Sequence, residues 1–146
     1  SPKRLEYTVI GDRVNLAERL QNANKYYGSD VLVCETTVAR LGRPVRLREL
    51  DLIRVRGRRA PVSISEVLEH HTAQSFPRMD EVLFTFAEAV GYYRNRSWQR
   101  AEALFRQALA ACPGDRPSQL YLERCAVYRD NPPPEDWDGV WTLQGH

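Results

Sequence analysis

A chain of 146 residues with 42% apolar content, nine prolines and eight glycines suits one globular domain, or one plus a small appendage. Its 21 basic and 19 acidic residues leave a net charge of +2, too even a balance to imply nucleic acid or an anionic membrane as partner. Three scattered cysteines, Cys34, Cys112 and Cys125, fit neither a zinc site nor a redox motif; they suit a reducing cytosol, so a cytoplasmic location is expected. No apolar run approaches the roughly 18 residues of a membrane helix, and the opening SPKRLEY lacks the apolar core of a signal peptide.

In chain order, residues 4–10 (RLEYTVI) alternate in character and predict a strand. Gly11 permits a turn and Asp12 is a good N-cap, a better reading of that carboxylate than metal ligand. Leu16, Leu20, Ala23 and Tyr27 then mark the apolar stripe of one amphipathic helix stopped by Gly28. DVLVCE suits a buried strand, TTVARLG a short helix, VRLRELDLIRVRG a long strand or hairpin, and PVSISEVLE a final strand. This α+β region covers residues 1–69.

Residues 70–77 carry no period and read as a linker, in which His70 and His71 have no catalytic part. Helices follow at 78–94, 97–111 and 117–129, and the proline cluster of NPPPEDWDGVW is expected to end regular structure, so that 78–146 form one helical extension with a Trp/Pro-rich tail. Ala89, Tyr92, Ala101, Phe105, Ala108 and Pro113 stand at the spacing of one tetratricopeptide unit over residues 82–115, although Thr85 and Glu88 replace the usual large aromatic and leucine. A lone unit cannot bury its own apolar face and should dock on something else. Trp137 and Trp141 give the tail apolar anchors.

On the first helix Asn15, Arg19 and Asn22 form a polar stripe beside the apolar one. An amide and a guanidinium at i and i+4 can address the phosphate and sugar oxygens of one ligand, and Thr8 on the preceding strand could offer a hydroxyl. The plain alternative, a solvated helix face, stays open on spacing alone.

The run YTVIGDRVNLAERL resembles the signature of the class III nucleotide cyclases, the adenylyl and guanylyl cyclase catalytic domain, and the similarity continues through RVRGRRAPVSISEVLE to about residue 69. The resemblance implies an α+β fold class: the C-terminal half of a ferredoxin-like cyclase domain, followed by a small all-α, tetratricopeptide-like extension. It assigns Asn15 to orienting the ribose, and Arg19 to the charge that develops on the α-phosphate as the 3′-oxygen attacks. The base-selecting position falls on Thr8, and threonine there in place of aspartate resembles the class IIIb branch, which includes bicarbonate-responsive adenylyl cyclases. In the turn Val55-Arg56-Gly57, which matches a VKG-like turn of the family, Arg56 would reach the terminal phosphates; arginine for lysine keeps the charge and alters the reach.

The same resemblance implies two metal ions, magnesium or manganese, held by two aspartates that the family carries in the N-terminal half of the domain. The chain is therefore expected to be a C-terminal half that holds no metal or cofactor alone and is inactive alone. Its intact form would convert ATP to cyclic AMP and pyrophosphate at a head-to-tail dimer interface. Open strand edges predict a homo-oligomer. A second reading makes the helical extension a protein-interaction module without catalysis. Nucleic-acid binding is the weakest reading: residues 40–59 hold eight arginines but no aromatic residue to stack bases, and most of these arginines read as solvated strand faces.

Overall fold

The run LVC forms β1 (Leu32–Cys34), buried at all three positions as a continuous apolar run requires. The computed structural model describes residues 24, 26–29, 32–34, 46–55 and 60–143, with side chains for all of these except Val55, Thr142 and Leu143. The predicted strand at 4–10, most of the helix from Asp12, and the short helix of TTVARLG lie outside the described residues. Of the first helix, Asn24, Tyr26 and Tyr27 are helical; Gly28 follows at φ 65, and the Ser29 N–H donates back to the Asn24 carbonyl at 3.0 Å. A left-handed glycine here ends the helix at little steric cost.

VRLRELDLIRVRG resolves into one strand, β2 (Leu47–Val55), antiparallel to β3 (Val62–Val67). β1 pairs antiparallel with the other edge of β3. The β2–β3 ladder runs Arg48↔Glu66 and Glu49↔Ser65, then jumps to Asp51↔Ile64 and Ile53↔Val62, so Leu50 is an extra residue in a β-bulge. Strand side chains alternate, and one inserted residue reverses the alternation beyond it. Arg48 and Asp51, three apart, consequently face the same side as Glu66 and Ile64, and all four are buried.

The chain divides into two compact units, Ser1–Glu69 with Val140–His146, and His70–Gly139. Residues 78–146, expected as one helical extension without regular structure after the prolines, end differently. Trp141–Leu143 form β4, parallel to β2, with Ile53↔Trp141 and Val55↔Leu143, giving the sheet order β1-β3-β2-β4. An open sheet edge offers unpaired N–H and C=O groups, which a short following segment can satisfy.

The second unit holds α1 (Met79–Arg94), α2 (Trp98–Ala111) and α3 (Arg116–Asp130). Asp80 and Glu81 in the first turn of α1 and Arg94 in its last complement the helix dipole. α1 ends in a Schellman motif: Ser97 N–H donates to Tyr92 O at 2.9 Å and Arg96 N–H to Tyr93 O at 3.0 Å, with Arg96 in the left-handed position at φ 66. Pro117 suits the first turn of α3, where the missing N–H is no loss. Phe86, Phe105 and Tyr121, one from each helix, form the centre of the core, with Phe105 stacked on Tyr121 at 5.2 Å. Among the described residues the architecture is α+β: three antiparallel strands joined by a parallel fourth, the helical residues that end at Tyr27, and the three helices α1 to α3.

Candidate functional site

The buried face of the sheet carries more polar chemistry than its strands' apolar alternation suggests. Arg48 on β2 donates through Nε and Nη2 to Glu66 Oε1 on β3 at 3.0 and 2.7 Å, with both side chains about 5% exposed. Arg48 is thus one arginine of that basic stretch that is not a solvated strand face. Its ladder partner is the residue it bonds, so the bulge that follows leaves this pair in register.

Beyond the bulge, Asp51 Oδ2 accepts the Tyr27 phenol at 2.5 Å, and Asp51 Oδ1 accepts the Leu52 N–H at 2.9 Å. Tyr27 is 0% and Asp51 1% exposed. A carboxylate in such a place requires hydrogen-bond partners on its oxygens, because desolvation without them costs several kcal/mol, of order 2–7 even for a neutral polar group. Tyr27 is the last member of the apolar stripe of the first helix, and its polar tip was not foreseen. The signal available in the sequence was an aspartate interrupting the apolar positions of a strand that ends in a basic turn.

Thr8, Asn15, Arg19 and Arg56 all lie outside the described residues. The structure describes the framework next to them: the helical residues up to Tyr27, and β2 up to Val55, the residue before Arg56. Among the described residues no group of three or more His, Cys, Asp or Glu could hold a metal ion. The His70 and His71 rings are tilted by 36° with centroids 4.1 Å apart, and His71 Nδ1 lies 3.1 Å from Ser75 Oγ in a turn. No described helix is long and apolar enough to cross a membrane.

In the helical unit, Arg96 Nη1 donates to Pro134 O at 2.9 Å and Nη2 to Pro133 O. The Trp137 ring lies 5.5 Å from Tyr93, 5.7 Å from Trp98 and 5.3 Å from Tyr128. The tail expected to be anchored by tryptophan is therefore seated on its own helices by Trp137. Between α2 and α3, Glu102 is buried and accepts from Arg129 at 2.9 and 3.0 Å and from Arg106 at 3.3 Å. Beside it, burial first and the Glu102 carboxylate second push the Cys125 thiol up to about 12.

No family model matches the chain, and no solved structure matches it. Three curated relatives do. The terminal-differentiation-specific adenylate cyclase of Dictyostelium discoideum is 27% identical over 125 residues, 84% of this chain and 6% of the relative. Adenylate cyclase 1 of Rhizobium meliloti (strain 1021) is 41% identical over 66 residues, 45% of this chain and 10% of the relative. An adenylate cyclase of Anabaena cylindrica is 40% identical over 67 residues, 44% of this chain and 13% of the relative. The chain thus spans between 6% and 13% of the length of these relatives. They support kinship with the cyclases and a cyclase-related function. A match over 84% of the chain includes its middle wherever it starts, so the Dictyostelium likeness extends into the helical unit.

Proposed function

We propose that residues 1–69 are the C-terminal half of a class III adenylate cyclase domain, and that the helical unit is a tetratricopeptide-like module attached to it. The kinship with three adenylate cyclases is the observation that carries this reading. In the intact dimer, ATP is converted to cyclic AMP and pyrophosphate. The ribose 3′-oxygen attacks the α-phosphorus, the bond to the bridging oxygen breaks, and pyrophosphate leaves. Asn15 holds the ribose, Arg19 neutralises charge developing on the α-phosphate, Thr8 faces the base, and Arg56 receives the terminal phosphates.

Magnesium or manganese would activate the 3′-hydroxyl and screen the triphosphate. No step is assigned to a metal held by the described residues, among which no group of three or more His, Cys, Asp or Glu could hold one. In a head-to-tail homodimer the metal carboxylates come from the other copy. The ferredoxin-like assignment has support from the β2–β3 hairpin flanked by β1, with helical residues ending at Tyr27. The tetratricopeptide-like assignment has support from Ala89, Ala101, Phe105 and Ala108, all 0% exposed at the repeat's packing positions.

The test is cyclic-nucleotide production, with magnesium or manganese, by a protein in which this segment completes a whole cyclase domain. Asn15→Ala and Arg19→Ala should each lower turnover by at least about a hundredfold, the loss typical of removing one transition-state donor. Unchanged turnover in both would remove the assigned roles. A second reading, a protein-interaction module, draws on the helical unit's own three-helix aromatic core. Partner capture that needs residues 78–130 and ignores Asn15 and Arg19 would favour it.

A further inference from the structure

We propose that Asp51 is a positioning residue: by accepting the Tyr27 phenol, it ties the end of the helix that the sequence predicts to carry Asn15 and Arg19 to the strand whose last described residue, Val55, precedes Arg56 in the chain. The inference rests on the nucleotide roles proposed above and adds what fixes their spacing. The α-phosphate and the terminal phosphates belong to one ligand, so Arg19 and Arg56 must keep a matched separation. They are carried by segments distant in sequence, and among the described residues the Tyr27–Asp51 bond, spanning 24 positions, joins those segments.

Three observations carry it. First, the bond is short, 2.5 Å, and both residues are fully buried, so no water competes for it. Second, the carboxylate is held twice, its other oxygen by the Leu52 N–H at 2.9 Å, which fixes its direction relative to the strand. Third, the sheet spends a bulge to aim it. With regular alternation Asp51 would face away from Arg48; the inserted Leu50 turns it to the buried face instead. From Asp51 the strand runs on through Leu52↔Ser63 and Ile53↔Val62, so its direction toward Arg56 is held by the ladder.

Tyr27 stands eight residues after Arg19, about 12 Å along the predicted helix at 1.5 Å per residue. A tilt of a few degrees about that end moves Arg19 by a substantial fraction of 1 Å. Misplacement on that scale lowers turnover by roughly ten- to a hundredfold. An apolar pair at 27 and 51 would fill the core without fixing such a direction, because hydrophobic contact is non-directional.

The experiment compares wild type, Tyr27→Phe and the double variant Tyr27→Phe/Asp51→Leu in a protein with the whole cyclase domain. Tyr27→Phe removes one hydrogen-bond partner from a buried carboxylate, so both melting temperature and kcat should fall. The double variant removes that carboxylate and should regain most of the melting temperature, while kcat stays about tenfold or more below wild type and KM for ATP changes less than about threefold. Recovery of kcat in step with melting temperature would make the pair merely structural and overturn the proposal. So would wild-type kcat in Tyr27→Phe. Failure of the underlying reading looks different: Asn15→Ala and Arg19→Ala would then be as active as wild type.

Discussion

Cys125 offers a direct test of the packing between α2 and α3. Its thiol, fully buried on α3, is pushed from an ordinary 9.0 up to about 12. Burial is the larger cause and the Glu102 carboxylate the second, against smaller opposite effects of Arg124 and Arg129. The folded value is raised, so between pH 9 and about 12 the unfolded chain releases a proton that the folded chain keeps. Stability from this group is intact below pH 9 and drains as pH rises through that window, by about 1.4 kcal/mol per pH unit. Replacing Cys125 with Ala deletes the thiol and leaves a small cavity, which costs about 1–2 kcal/mol at every pH. Urea unfolding of wild type and Cys125→Ala from about pH 7 to 10.5 should therefore give a constant difference up to pH 9. The difference should then shrink by about 2 kcal/mol at pH 10.5, as wild type alone loses the thiol contribution. Other groups titrate alike in both proteins and cancel. Glu102→Gln should narrow the window from its upper end without closing it, since burial persists. Parallel stability curves through pH 10.5 would refute the account.

Two further outcomes follow from other buried polar groups. Arg48→Leu should lower stability by about 3–5 kcal/mol in denaturant unfolding, by stranding Glu66 in the sheet, whereas Arg48→Leu/Glu66→Leu should recover most of it; equal losses in the single and double variants would contradict the ion-pair reading. Arg96→Gly should relieve about 1 kcal/mol of left-handed strain at the end of α1 while releasing Pro133 and Pro134, so amide exchange should accelerate across residues 131–139 and not in α1; unchanged exchange in the tail would show that the guanidinium does not hold it.

The helices were legible because their signals are local. Predicted spans of 78–94, 97–111 and 117–129 stand beside observed spans of Met79–Arg94, Trp98–Ala111 and Arg116–Asp130. Ala101, Phe105 and Ala108 repeat at helical spacing, and Pro117 marks a first turn. The strands of residues 32–34, 47–55 and 62–67 were legible for a similar reason, through alternation or a continuous apolar run. The bulge was not. A period of two cannot reveal one inserted residue until the partner strand is known, and only the register against Glu66 and Ile64 turns Asp51 inward. β4 was missed because its partner, β2, lies more than eighty residues earlier, and three residues carry too little pattern to name a distant edge. Motif likeness points to Thr8, Asn15, Arg19 and Arg56, all of which lie outside the described residues, while Tyr27 and Asp51 carry no motif and had to be met in the fold.

The unforeseen polar contacts share one physical task. Arg48–Glu66 joins two neighbouring strands, Tyr27–Asp51 joins the end of a helix to a strand, and Arg96 joins the end of α1 to the proline tail. Hydrophobic burial can hold each of these segments in the core, but it tolerates sliding and rotation, since apolar contact has little direction. A charge-assisted or short hydrogen bond away from water penalises both, because a displaced partner leaves a desolvated polar group behind. Such a bond therefore converts packing into alignment. On the proposed nucleotide reading, alignment matters most where two arginines would meet one triphosphate, and β2 carries the Asp51 acceptor five residues before Arg56. β4 lies on the same stretch of β2, pairing Arg54 with Thr142 and Val55 with Leu143. The last described residues of this strand are thus held on one edge by β4 and, through Asp51, on the face that buries Tyr27. Loosening either hold should free the Val55 end of β2 before it disturbs the rest of the sheet.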